Sequence, residues 1–97
     1  GDTLVAHLRD PDENVRMVVG NALAAHPAAA GRGMGQLIAA AQAPGEHRHV
    51  LRSVAVALGS IGPDARDALP VLRELEKMPL VRWQAQWAIR QILAQGR

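Results

Sequence analysis

Trp83 and Trp87 stand four residues apart, so they share one face of any helix that contains them, with Arg82 and Arg90 on either side. An aromatic face beside guanidinium groups suits contact with a partner carrying acidic groups, because Trp and Arg are enriched at interface hot spots. The same spacing suits a final layer of core, packed on the preceding helix pair, and the sequence leaves both readings open. His47 and His49 flank Arg48. Rings at i and i+2 of a helix point about 200° apart and cannot meet on one metal ion. His7 and His26 sit in no cysteine or carboxylate motif, so all four histidines read as surface or capping residues. Neither a metal nor a cofactor is expected.

Catalytic patterns are absent as well. With no cysteine the chain cannot form disulfides, thiolate zinc sites or iron–sulfur clusters. Ser53 and Ser60 have no neighbouring His or Asp arrangement. Gly31-Arg32-Gly33-Met34-Gly35 is rich in glycine but lacks the lysine and hydroxyl that end a phosphate loop. It reads as a flexible turn between helices; the functional alternative is an anion held by Arg32 and free amides. The expectation is a protein that is not an enzyme.

Composition narrows the class further. The 97 residues contain no Phe, no Tyr and only two Trp, and the apolar material is Ala, Leu, Val and Ile. Alanine lets helices approach closely at no side-chain entropy cost, which favours an all-α chain over β structure. The isoelectric point near 10.4 overstates the charge, since eleven Lys and Arg oppose nine Asp and Glu for a net +2. A nucleic-acid partner is therefore not favoured. No apolar run approaches the roughly 20 residues that span a bilayer, and no signal segment opens the chain. A soluble domain is expected; the compartment is left open, with the cytoplasm slightly favoured.

The elements that must position these residues come from a repeat. Asn14–Pro27, His49–Pro63 and Leu80–Leu93 align with Val15 over Val50 and Val81, and with Leu23 over Leu58 and Ile89. The offsets of 35 and 31 residues match paired-helix repeats, which take roughly 30 to 45 residues each. Helices are expected at about 3–9, 12–25, 34–42, 46–60, 64–77 and 79–94. His26-Pro27, Ala43-Pro44-Gly45 and Gly62-Pro63 punctuate them, because Pro and the residue before it resist continued helix. Asp64 is expected to cap the fifth, and Pro70 to sit in the first turn of its regular part. The chain opens on a second helix and ends on a first one. With Gly1 in the first position, it reads as a single domain, 1–97, excerpted from a longer protein.

Leu8-Arg9-Asp10-Pro11-Asp12-Glu13-Asn14-Val15-Arg16 resembles the entry into the first helix of a HEAT repeat, and Ala57–Ala65 followed by Ala68-Leu69-Pro70-Val71-Leu72 resembles its turn and second helix. The likeness is closest to the short bacterial HEAT-like repeats of the phycobilin-lyase type and extends along essentially the whole chain. It implies a short right-handed α-α superhelix, an α-solenoid of about six helices. It also implies a polar ladder between repeats through Asp10 or Asp12 and Arg16, carried mainly by the first copy.

A solenoid offers a ridge of second helices, here with Gln36, Arg66, Arg73, Glu74 and Lys77 exposed. The function expected by resemblance is a non-catalytic interaction or scaffold module that holds a protein, a peptide or neighbouring domains of its own chain. The alternative is an accessory domain of an enzyme, as in bilin lyases or HEAT-like DNA glycosylases. Val81, Ala85, Ala88, Ile89, Ile92 and Leu93 exceed what one unpaired helix can bury, so self-association through terminal helices is also expected.

Overall fold

The computed structural model describes the backbone of residues 2–94 and the side chains of 4–94. Its α-helices are α1 (Asp2–Ala6), α2 (Glu13–Ala24), α3 (Pro27–Arg32), α4 (Met34–Gln42), α5 (Arg48–Ile61), α6 (Leu69–Leu75) and α7 (Arg82–Leu93). Two 3-10 segments, His7–Arg9 and Gly62–Ala68, complete the helical structure. The described residues contain no strand. The six expected helices are all present. A seventh, α3, occupies part of the stretch read as a flexible turn, because Pro27 fits the first turn of a helix and three alanines come after it.

Local chemistry sets the ends. The Asp12 carboxylate accepts the Asn14 N–H at 2.8 Å and so caps α2. His47 does the same for α5, its Nδ1 accepting the His49 N–H at 3.2 Å. α5 stops at Gly62, whose φ of 82° is open only to glycine at low cost. Asp64 does not act as a cap: the 3-10 segment that contains it has no side-chain cap, and neither has α6. Pro70 lies in the first turn of α6, where a missing N–H costs nothing.

α2, α5 and α7 form one layer. The second layer holds α1 with its 3-10 extension, then α4, then α6, and α5 lies centrally against α2, α3, α4 and α7. Leu23, Leu37, Val50, Val54, Leu58, Leu72, Val81 and Ile92 are fully buried between the layers. The repeat register therefore corresponds to the core: Val50 over Val81 and Leu23 over Leu58 lie inside the same seam.

Within the first layer the helices nearly touch. A Cβ on Gly20 would overlap the Ser53 hydroxyl, and one on Gly59 would lie 2.6 Å from Trp87 Cζ3 and 2.8 Å from the Ala88 Cα. Gly33, at the α3–α4 junction, meets Val5 in the same way at 2.5 Å. The apolar excess expected on α7 is not there. Val81, Ala85, Ala88, Ile89 and Ile92 are all buried against α5, α6 and the 62–68 turn, which leaves Leu93 at 43 % exposure.

The polar ladder differs from the expected one. The Arg16 guanidinium meets Glu46 in a two-pronged pair, Nε to Oε2 at 2.8 Å and Nη2 to Oε1 at 2.9 Å, and its Nη1 donates to the Asp10 and Pro11 carbonyls. Asp10 contributes its backbone oxygen, while its carboxylate accepts the Asp12 N–H. Asp12 is occupied as a cap, which is why neither carboxylate is the partner of Arg16. The later copies keep the backbone half of this arrangement. Arg82 donates to the Glu76 carbonyl, six residues back as in Arg16 to Asp10, and Arg52 donates to the Leu80 carbonyl at 2.7 Å. An arginine thus ties each first helix to a turn, and only the first copy adds a carboxylate.

Burial pushes the Glu46 carboxyl up, but bonds from Arg16 and the His47 N–H, with the nearby positive charge, outweigh it and hold the carboxyl below the ordinary glutamate value. The contribution of Glu46 to stability is therefore whole above the ordinary glutamate pKa and is lost as pH falls through the lowered, folded-state value. Glu46→Gln should cost roughly 1–3 kcal/mol at neutral pH and flatten the acid limb of stability against pH, as read by urea unfolding across a pH series. Gly59→Val should cost about 1–3 kcal/mol by overpacking. Gly35→Ala, with open space around its Cβ, should stabilise by up to about 1 kcal/mol in the same assay.

Candidate interaction surface

Between the 3-10 turn after α1 and the exposed face of α4 runs an open groove of about 910 Å³. Its floor is small, with Gly35, Ala39 and Ala43 on or next to α4, while Arg9 and Gln36 stand at its polar edge. The Arg16–Glu46 pair lies along it. α4 carries Gln36 outward because Leu37 and Ala41 face the core.

α6 continues the same layer beside α4. Val71, Leu72 and Leu75 turn inward, which leaves Arg73 and Glu74 exposed; Lys77, just beyond the helix, is exposed too and pairs with Glu74 at 3.1 Å. Both partners of that pair are more than two-thirds exposed, so it contributes little to the fold and leaves the charges free to exchange partners. Arg66 is exposed on the 62–68 turn. The five ridge residues expected from sequence are thus all at the surface of the second-helix layer or its turns. Arg66, Arg73 and Lys77 are cationic, Glu74 is anionic and Gln36 is neutral, so the ridge is a mixed polar surface with an excess of positive charge.

The two tryptophans part company. Trp87 is half-buried over Gly59, as part of the α5–α7 contact, whereas Trp83, one turn earlier, is 66 % exposed. Leu80, at 56 %, and Met78, at 38 %, are exposed in the turn just before it. Arg82 is engaged by the Glu76 carbonyl, and Arg90 is exposed. Trp83 belongs to the first-helix layer and the ridge to the second, so the structure offers two separate exposed surfaces.

On the outer side of the first-helix layer, Met17, Asn21, His49, Arg52, Ser53, Val56 and Gln84 line a shallow depression of about 260 Å³. His47 and His49 stack there, ring centroids 4.6 Å apart, and the Nε2 of His47 lies 3.6 Å from Glu13. Because His47 Nδ1 accepts the capping bond, Nε2 is the nitrogen that faces the carboxylate as donor. Partial desolvation, then the neighbouring His47, Arg48 and Arg52, hold the His49 ring below the usual histidine value. Among the described residues no group of three or more His, Cys, Asp or Glu side chains is placed to hold a metal ion. His7 lies 3.7 Å from Asp10, and His26 is exposed before α3. Arg32 ends α3 and is exposed; Gly33 is buried against Val5, a packing role the glycine-rich stretch did not announce.

Sequence reasoning missed Glu46, thirty residues from Arg16 and hidden in a segment read simply as a helix start. The signal that could have found it is that Glu46 precedes the second copy as Asp10 and Asp12 precede the first. No described helix is long and apolar enough to cross a membrane. Neither the curated proteins nor the solved structures contain a match to this chain. A family model described as HEAT repeats matches residues 1–90, which include α1 to α6 and the first three quarters of α7. Stacked helix pairs in two layers, in the expected register and matched over almost the full length, place this chain in the HEAT repeat family.

Proposed function

We propose that this domain is a non-catalytic interaction or scaffold module whose contact surface is the second-helix ridge formed by α4, α6 and the turns beside them. The observation that carries this reading is the open groove along α4, in a layer that also exposes Arg73 and Glu74 on α6 and Arg66 and Lys77 on the turns beside it. HEAT repeats generally serve protein interaction or scaffolding, and the partner favoured by this surface is a protein or peptide, or a neighbouring domain of the same polypeptide. Small residues on the groove floor admit a closely approaching chain, and Arg9 and Gln36 supply polar contacts at its edge.

Chemical cross-linking of the protein in extract from its own cells, followed by mass spectrometry, should capture a partner. Arg73→Glu combined with Lys77→Glu should abolish that capture and leave the thermal midpoint unchanged within about 2 °C, because both side chains are exposed. Undiminished capture by the double variant would sink the ridge as the contact surface. Trp83→Ala should change stability by no more than about 0.5 kcal/mol, whereas Trp87→Ala should cost about 3 kcal/mol through loss of the α5–α7 contact, both measured by urea unfolding.

A further inference from the structure

Three of the five large apolar side chains exposed among the described residues, Met78, Leu80 and Trp83, stand together where the chain enters α7. They sit on a held turn. Arg52 of α5 donates Nε to the Leu80 carbonyl at 2.7 Å, and Arg82 donates Nε to the Glu76 carbonyl at 3.1 Å. The Val81 N–H reaches the Met78 carbonyl at 3.0 Å, and the Val81 side chain is fully buried beneath. An apolar surface already ordered loses little entropy when a partner covers it, and clustered exposed apolar groups mark contact sites.

The charge around this turn is one-sided. Arg52 and Arg82 give their Nε groups to backbone carbonyls, and among the described residues neither guanidinium meets a carboxylate. Glu76, the acid of the turn itself, accepts from Gln86 at 3.2 Å. Arg52 also lines the shallow depression on the outer side of the first-helix layer, and so does Gln84, the residue after Trp83. Among the described residues no carboxylate lines that depression; its polar groups are Asn21, His49, Arg52, Ser53 and Gln84. Glu13 of α2 faces His47 instead, at 3.6 Å. Arg52, Asn21 and Gln84 thus furnish N–H donors, one of them charged, beside an apolar step and without an acceptor of matching charge.

We infer that this face is a second interaction surface, separate from the ridge, for a peptide segment that pairs an acidic side chain with a large apolar one. The carboxylate enters the depression beside Arg52 and Gln84, and the apolar side chain lies on Leu80 and Trp83. Aromatic residues, Met and Arg, the types gathered here, are those enriched where proteins meet. An anionic membrane fits less well, since a flat surface puts no acceptor into a depression and polybasic docking takes roughly four to eight Lys or Arg. A second copy related by a two-fold axis also fits less well, because Arg52 and Arg82 would face their own images.

The test pans a phage-displayed library of short random peptides on the immobilised full chain. Enriched peptides should share Asp or Glu within a few positions of Leu, Phe or Trp, and their synthetic versions, titrated calorimetrically, should bind more weakly as salt rises. Trp83→Ala combined with Leu80→Ser should lower their affinity at least roughly tenfold, and so should Gln84→Glu, which sets a like charge in the depression. Changing the peptide's acid to Lys should abolish binding to the unsubstituted chain and restore part of it with Gln84→Glu, an exchange that a merely unfolded variant could not give. Arg73→Glu, on the ridge, should leave the affinity unchanged. No enrichment, enriched peptides without an acid, or binding indifferent to Trp83 and Gln84 would overturn the proposal. So would retention of the chain on vesicles containing phosphatidylserine, or dimerisation in sedimentation runs, that Trp83→Ala removes, since a lipid surface or a second copy would then be the occupant.

Discussion

The fold depends on how closely α5 can approach its two neighbours. At Gly20 against Ser53 and at Gly59 against Ala88 there is no room for another methyl group, so the backbones themselves set the spacing of the layer. Close approach brings many weak dispersion contacts into range at once, which matters in a chain with no Phe or Tyr to fill wider gaps. Alanine and valine can complete such a core because the helices come to them. The second layer depends on this spacing, since Leu37, Val71, Leu72 and Leu75 reach into the seam that the first layer leaves.

The arginines work on a different part of the same problem. Helix turns end in carbonyls and amides without partners, and a stack of short helices has many of them. Arg16, Arg52 and Arg82 each cover one or more such carbonyls, so the charge acts more as a hydrogen-bond fork than as half of an ion pair. Glu46 is the exception, because its burial requires a full partner. A planar guanidinium can serve carbonyls and a carboxylate at once, which an ammonium group cannot do with the same geometry.

What the sequence made legible was whatever recurs. Val15, Val50 and Val81 set the register, the prolines and Gly62 set the breaks, and the buried seam lies where that register places it. Contacts between copies were not legible, because each joins two residues roughly thirty positions apart of which at least one has no equivalent in the other copies: Arg16 with Glu46, Gly20 with Ser53, Gly59 with Ala88. The exposed ridge was readable, since a residue opposite an apolar stripe must face out. The burial of Ile89 and Ile92 was not, because it takes α6 and the 62–68 turn together to cover α7. Pro27 reads as the stop of the helix before it, yet it equally fits the first turn of α3, which alanines 28–30 continue.

The placement of the two tryptophans gives the protein an optical property. With no tyrosine, near-ultraviolet emission comes from Trp83 and Trp87 alone. Trp83 is solvated in the folded state much as it is in an unfolded chain, so its emission changes little on unfolding and serves as an internal reference. Trp87 lies over Gly59 at the seam between α5 and α7, and its emission reports on that seam. The last helix of the stack therefore carries both a gauge of its own attachment and the standard against which to read it.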